Sequence, residues 1–112
     1  MVRVEVTTGG DLPMRIRSTG HAQRPAAADS AACAAVSVVL KSFGLALARN
    51  GVCRIRLTAD RPGVFDLEIE ACDEPEWVRG MWAMARISLE EIEAAWPRDV
   101  QLTISEEKHN GT

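Results

Sequence analysis

A histidine and a cysteine, His21 and Cys33, stand at either side of an alanine-rich run in the stretch TGHAQRPAAADSAACAAVS, Thr19 to Ser37. An imidazole brought within hydrogen-bond reach of a thiol lowers its pKa and gives a Cys–His dyad able to attack an amide carbonyl. The apolar run Ala31 to Arg49 predicts a helix, with Ser30 or Asp29 capping its start. That boundary sets Cys33 in the first turn, beside unsatisfied backbone N–H groups and the positive end of the helix dipole. A thiolate is favoured there, and the same N–H groups could hold a developing oxyanion. The connector Gln23 to Asp29, with Pro25 and three alanines, predicts a surface loop that closes over an extended peptide and carries His21 to Cys33. Spacing alone leaves other readings open. Cys33 is equally a small filler in a tight helix–sheet contact, and an activated thiol would also serve as a redox sensor.

The elements that must position the pair are legible as periodicities. Val2–Val6 and Met14–Arg17 alternate apolar and polar residues around TTGGDLP, which predicts a hairpin with Val2, Val4, Val6, Met14 and Ile16 facing inward. Cys53–Thr58 and Val64–Glu70 repeat the pattern around ADRPG, with Ile55, Leu57, Phe65, Leu67 and Ile69 on one face and mostly charged residues on the other. Asn50-Gly51 ends the first helix. Glu74-Pro75 opens a second helix running to about Ala95, with a possible break at the capping box Ser88 to Glu91, and Pro97 stops it. Val100, Leu102 and Ile104 alternate as a last strand. The order ββαββαβ predicts an α+β fold of two layers, a mainly antiparallel sheet with two helices on one face.

Length and composition bound the rest. A chain of 112 residues, 46% hydrophobic and 26% charged, suits one folded domain that buries about 65% of its extended-chain surface. Residues 1–61 hold nine Lys and Arg against four Asp and Glu, and residues 62–112 hold four against twelve. Pairing of these charges across adjacent strands accounts for the split, and a net charge of −3 without a basic, aromatic-interleaved run gives no expectation of nucleic-acid binding. MVRVEVTTGG lacks the basic-then-apolar order of a leader, so a cytoplasmic location is expected. The apolar run Ala31 to Leu40 is short of the ~20 residues of a membrane span. Cys33, Cys53 and Cys72 are odd in number and form no C-x-x-C, so neither a disulfide scaffold nor a metal site is expected, and Cys53 and Cys72 read as packing residues at strand edges.

GHA, Gly20 to Ala22, followed by CAAVS, Cys33 to Ser37, resembles the two motifs of the ribosomal-processing cysteine protease family, Prp, and LEEIEAAWPRDVQLTI is similar to that family's closing pattern. The resemblance covers nearly the whole chain and implies one Prp-like domain over residues 1–105, followed by a solvated tail, 106–112. It implies Cys33 as nucleophile, His21 as general base and then acid, and Gly20 as the residue that lets the backbone present the histidine. It further implies a homodimer, no metal or organic cofactor, and as substrate the N-terminal peptide tail of a large-subunit ribosomal protein. The family usually has a glycine and an aspartate shortly before its cysteine, where this chain has Ala28 and Ser30, with Asp29 one place off. That departure keeps a second reading open, a non-catalytic ribosome-associated binding module with the same fold. Ser37, one turn after Cys33, supports the site by hydrogen bonding or bonds its own helix.

Overall fold

Seven elements follow one another as β1 (Val2–Gly9), β2 (Leu12–Thr19), α1 (Ala27–Asn50), β3 (Cys53–Thr58), β4 (Val64–Cys72), α2 (Pro75–Ala95) and β5 (Val100–Glu106). The computed structural model describes residues 1–20, 27–59 and 63–107, with the side chains of 27–30 left out of the description. The order is the ββαββαβ read from periodicity. The five strands form one sheet, β3-β4-β2-β1-β5, antiparallel except for the β1–β5 pair, so the fold is α+β with a mixed, mostly antiparallel sheet.

Two crossovers generate that order. The segment β2–α1–β3 leaves a gap that β4 fills, and β4–α2–β5 spans both central strands to place β5 beside β1. Each helix buries the stripe that its sequence makes apolar at intervals of three and four. Ala32, Val36, Leu40, Phe43 and Leu47 of α1, and Val78, Trp82, Ala85, Leu89 and Ile92 of α2, meet Val2, Val4, Val6, Ile16, Phe65, Leu67 and Val100 of the sheet in one core. The rings of Phe43 and Trp82 meet edge to face at 5.9 Å between centroids and join the two helices.

The opposite face of the sheet carries the charges. Arg15 clamps Asp66 through two hydrogen bonds, of 3.1 and 2.8 Å, and Arg56 reaches Glu70 at 3.1 Å. Charge pairing thus runs between β2 and β4 as well as within the second hairpin. At the far edge, Glu93 of α2 accepts the backbone N–H of Leu102 at 2.7 Å, which occupies a donor on β5.

Five expectations change in detail. Met14 points outward because a bulge near Thr7/Thr8 leaves it as the extra residue of β2, and Pro13 turns inward instead. Leu57 is exposed because β3 is the edge strand. The second helix does not break at Ser88, whose hydroxyl donates back to the Met84 carbonyl at 2.9 Å while the helix continues. Helix α1 is long and apolar enough to cross a membrane by length and composition over Ala31–Asn50, well beyond the ten-residue run, although its Ala32–Leu47 stripe belongs to the core. At the C-terminal end, β5 includes Glu106, and the Glu107 N–H donates to the Thr8 carbonyl at 2.7 Å, so ordered pairing passes the tail boundary placed at 106.

Leu67 is fully buried between β2 and β3. Leu67→Ala is expected to cost about 2–5 kcal/mol, read as a lower urea midpoint with unchanged slope. The Arg15 guanidinium beside Asp66 holds its carboxyl below the ordinary carboxylate range. A depressed folded-state pKa contributes stability above the unfolded value of about 4, lost as pH falls through the lowered one. Asp66→Asn should therefore lower the thermal midpoint at neutral pH, and the gap to the parent should close in acid.

Candidate active site

The chain leaves β2 at Gly20, and its sequence dictates the exit. Gly20 has φ +89°, a left-handed conformation that L side chains rarely adopt, and a Cβ at that position would collide with the Met1 carbonyl oxygen. Thr19 beside it pairs with Arg3, and the Val2 N–H donates to the Asp99 carbonyl at 2.7 Å, so the starts of β1 and β5 brace the exit. His21 follows directly. It lies outside the described residues, as does its approach to Cys33.

Helix α1 runs antiparallel to β3, and β3 is parallel to β2, since each is antiparallel to β4. Its N-terminal end therefore lies toward the Gly20 end of the sheet. Cys33 is the seventh residue of α1, about 9 Å along the axis from its start. This corrects the expectation of a first-turn cysteine. Alanines at 27 and 28 are the strongest helix formers, so the helix extends a turn upstream and stops short of Pro25. Asp29 and Ser30 lie inside α1, so neither is the residue that precedes the helix as its cap.

The consequence for chemistry is direct. The N–H groups without a partner inside the helix belong to its first turn, from residue 27 on, and the Cys33 N–H is used inside the helix. Side chains in a helix tilt toward its N-terminus, so the Cys33 thiol leans over the turn that contains those donors. Cys33 is half-buried, packed against the core beside Ala32 and Val36. Its neighbours Ala31 and Ala34 are exposed and small, which leaves the sulfur approachable from solvent. Ser37, one turn on, is exposed. The arrangement puts a half-buried thiol on a helix whose N-terminal end lies toward the Gly20 end of the sheet. Among the described residues no three His, Cys, Asp or Glu side chains gather as a metal site.

Sequence reasoning missed one pairing. Cys53 and Cys72 face each other across β3 and β4, with sulfurs 2.9 Å apart. Burial and the neighbouring Cys72 push the Cys53 thiol up to about 12. A register carried straight from Thr58–Asp66 would put Ala71 opposite Cys53. The irregularity between Arg54 and Ile55 brings Cys72 there instead, and no residue pattern signals it.

The family model described as cysteine protease Prp matches residues 1–101. No curated protein matches the chain. Among solved structures, the fold is similar to that of an essential ribosomal processing protease Prp from S. aureus in complex with a substrate peptide, with 19% identity, TM-score 0.81, and coverage of 94% of this chain and 100% of that one. It is equally similar to SMU.848 from Streptococcus mutans, at 18% identity and TM-score 0.81, covering 96% of each chain. The S. aureus protease in complex with a covalently linked product peptide gives TM-score 0.76 at 20% identity, over 94% of this chain and 100% of that one.

Gly20→Ala is expected to destabilise the fold by about 1–3 kcal/mol, because it combines a disfavoured φ with a backbone collision. Equilibrium urea unfolding measures the cost, and a neutral result would contradict the account of the exit.

Proposed function

The chain belongs to the Prp cysteine protease family, and on that premise we propose that it removes the short N-terminal extension of a large-subunit ribosomal protein, using Cys33 as nucleophile and His21 as general base and acid. The observation that carries this reading is the half-exposed Cys33 on α1, framed by exposed alanines and lying toward the sheet end where Gly20 sends out the histidine. The similar S. aureus structures, of a ribosomal processing protease with a substrate peptide and with a covalently linked product peptide, support the substrate class.

The proposed chemistry follows from thiol and imidazole. His21 takes the Cys33 proton, and the thiolate adds to the scissile carbonyl carbon to give a tetrahedral oxyanion. His21 then protonates the departing amine as the C–N bond breaks and leaves a thioester on Cys33. A water that gives its proton to His21 attacks the thioester, releases the new carboxylate and restores the thiol. Backbone N–H groups at the α1 start are the proposed oxyanion donors, and Gly20 is the positioning residue that fixes where the histidine leaves the sheet. Asp29, Ser30 and Ser37 are proposed as supporting groups on the same helix. The reaction needs no metal or organic cofactor.

The proposed assembly is a homodimer, and the proposed setting is the cytoplasm. The outward sides of α1 and α2 carry Val38, Met84 and Ile87 at 63%, 74% and 59% exposure, which gives a second copy apolar area to cover. The non-catalytic reading keeps one supporting observation, that Ala28 and Ser30 lie in an extended helix where the family usually has a glycine and an aspartate.

Incubation with the extended ribosomal protein, followed by intact-mass measurement of the product, tests the proposal. The parent should trim the tail, and Cys33→Ala and His21→Ala should lose about 10³-fold or more in kcat/KM. Equal cleavage by Cys33→Ala would overturn it, and tight binding without turnover by the parent would favour the binding module. Val38→Glu combined with Met84→Glu should convert a dimer to a monomer in analytical ultracentrifugation, and an unchanged mass would remove this face from the interface.

A further inference from the structure

The sulfurs of Cys53 and Cys72 lie 2.9 Å apart, closer than two sulfurs in ordinary contact and about 0.9 Å beyond a disulfide bond. Their backbones are already in place. The two residues are Cα partners on adjacent antiparallel strands. One position beyond the pair, the Asp73 N–H donates to the Val52 carbonyl at 2.8 Å. That flanking bond makes the cysteines a non-hydrogen-bonded pair, the position where facing Cα atoms stand about 4.5 Å apart, within the span a disulfide accepts. Both thiols are free and half-buried, so a small reagent can reach them.

We propose that Cys53 and Cys72 are a reversible redox staple, which two-electron oxidation by a low-molecular-weight disulfide closes into a cross-strand disulfide. The Cys72 thiolate attacks one sulfur of the reagent, whose S–S bond breaks and expels one thiolate. That thiolate takes up the proton released by Cys72. Cys53 then gives its proton to the second leaving thiolate as its sulfur attacks the Cys72 sulfur and displaces the reagent. Two protein thiols and one reagent disulfide become one protein disulfide and two reagent thiols, and the reagent takes both electrons. The balance is the same whichever of the two cysteines attacks the reagent first.

The position of the pair defines what the staple would control. Cys53 opens β3, the strand at one edge of the sheet, directly after the turn from α1, and Cys72 closes β4 just before α2. Among the strands, β3 is held by β4 alone. Closing the bond ties that edge to the sheet and removes freedom from the unfolded chain between residues 53 and 72. The staple lies toward the C-terminal end of α1, remote from Cys33 near its other end. It is therefore a device acting on the edge hairpin, separate from the nucleophile.

Oxidation of the purified full chain with glutathione disulfide, followed by thiol titration and peptide mapping, tests the proposal. Three titratable thiols should fall to one, with Cys53 and Cys72 linked within one chain and Cys33 free. The thermal midpoint should rise by roughly 10 °C and return on reduction. Cys33→Ser should behave as the parent does, while Cys53→Ser and Cys72→Ser should form no internal link and show no rise. Three persistent thiols, a lasting mixed disulfide with glutathione, a link through Cys33, or an internal link without a thermal shift would each overturn it.

Discussion

The burial of one stripe of α1 against the sheet is the constraint on which the site depends. Ala32, Val36, Leu40, Phe43 and Leu47 can enter the core together only at one rotation of the helix. That rotation sets Cys33, next to Ala32, at the margin of the buried stripe rather than within it or opposite it. A thiol at such a margin is held by packing on one side and remains partly exposed on the other. The same helix joins β2 to β3, so its direction also determines which end of the sheet receives the Cys33 thiol.

Small side chains make that placement workable. Ala31 and Ala34 flank Cys33, where larger residues would cover the sulfur, and the alanines at 27 and 28 draw the helix upstream past Asp29 and Ser30. The two effects oppose each other chemically. Access to Cys33 is preserved, but the dipole of the helix start is felt from about one turn further away, where its influence is weaker. In the proposed mechanism, activation of the thiol then depends more heavily on His21 and on the exit at Gly20, which tolerates neither a Cβ nor an ordinary φ.

Most of the fold was legible because its signals are periodic. Val2, Val4 and Val6, the alternation of β3 and β4, and the Pro75 and Pro97 limits of α2 each depend on local pattern, and the structure follows them, while the ADRPG turn itself lies outside the described residues. The failures share a different physics. Met14 and the Cys53–Cys72 pairing turn on bulges, which shift register by one residue and leave no trace in composition. Ser30 carried a cap signal that neighbouring alanine propensity overrode. The β1–β5 parallel pair depends on where a crossover lands, a property of the whole chain. Of the candidate site, the turn at Gly20 and the presence of Cys33 on the first helix were legible in the sequence, whereas the position of Cys33 within that helix was not, because alanine propensity moved the helix start.

Acid-quenching the protein during turnover of the extended ribosomal tail, followed by peptide mass mapping, tests the central claim most directly. The account predicts an acyl adduct, a thioester with the N-terminal fragment of the substrate, on the peptide containing Cys33 and on neither Cys53 nor Cys72. Turnover that accumulates no adduct on Cys33 under conditions that trap thioesters, or an adduct on another residue, would contradict it.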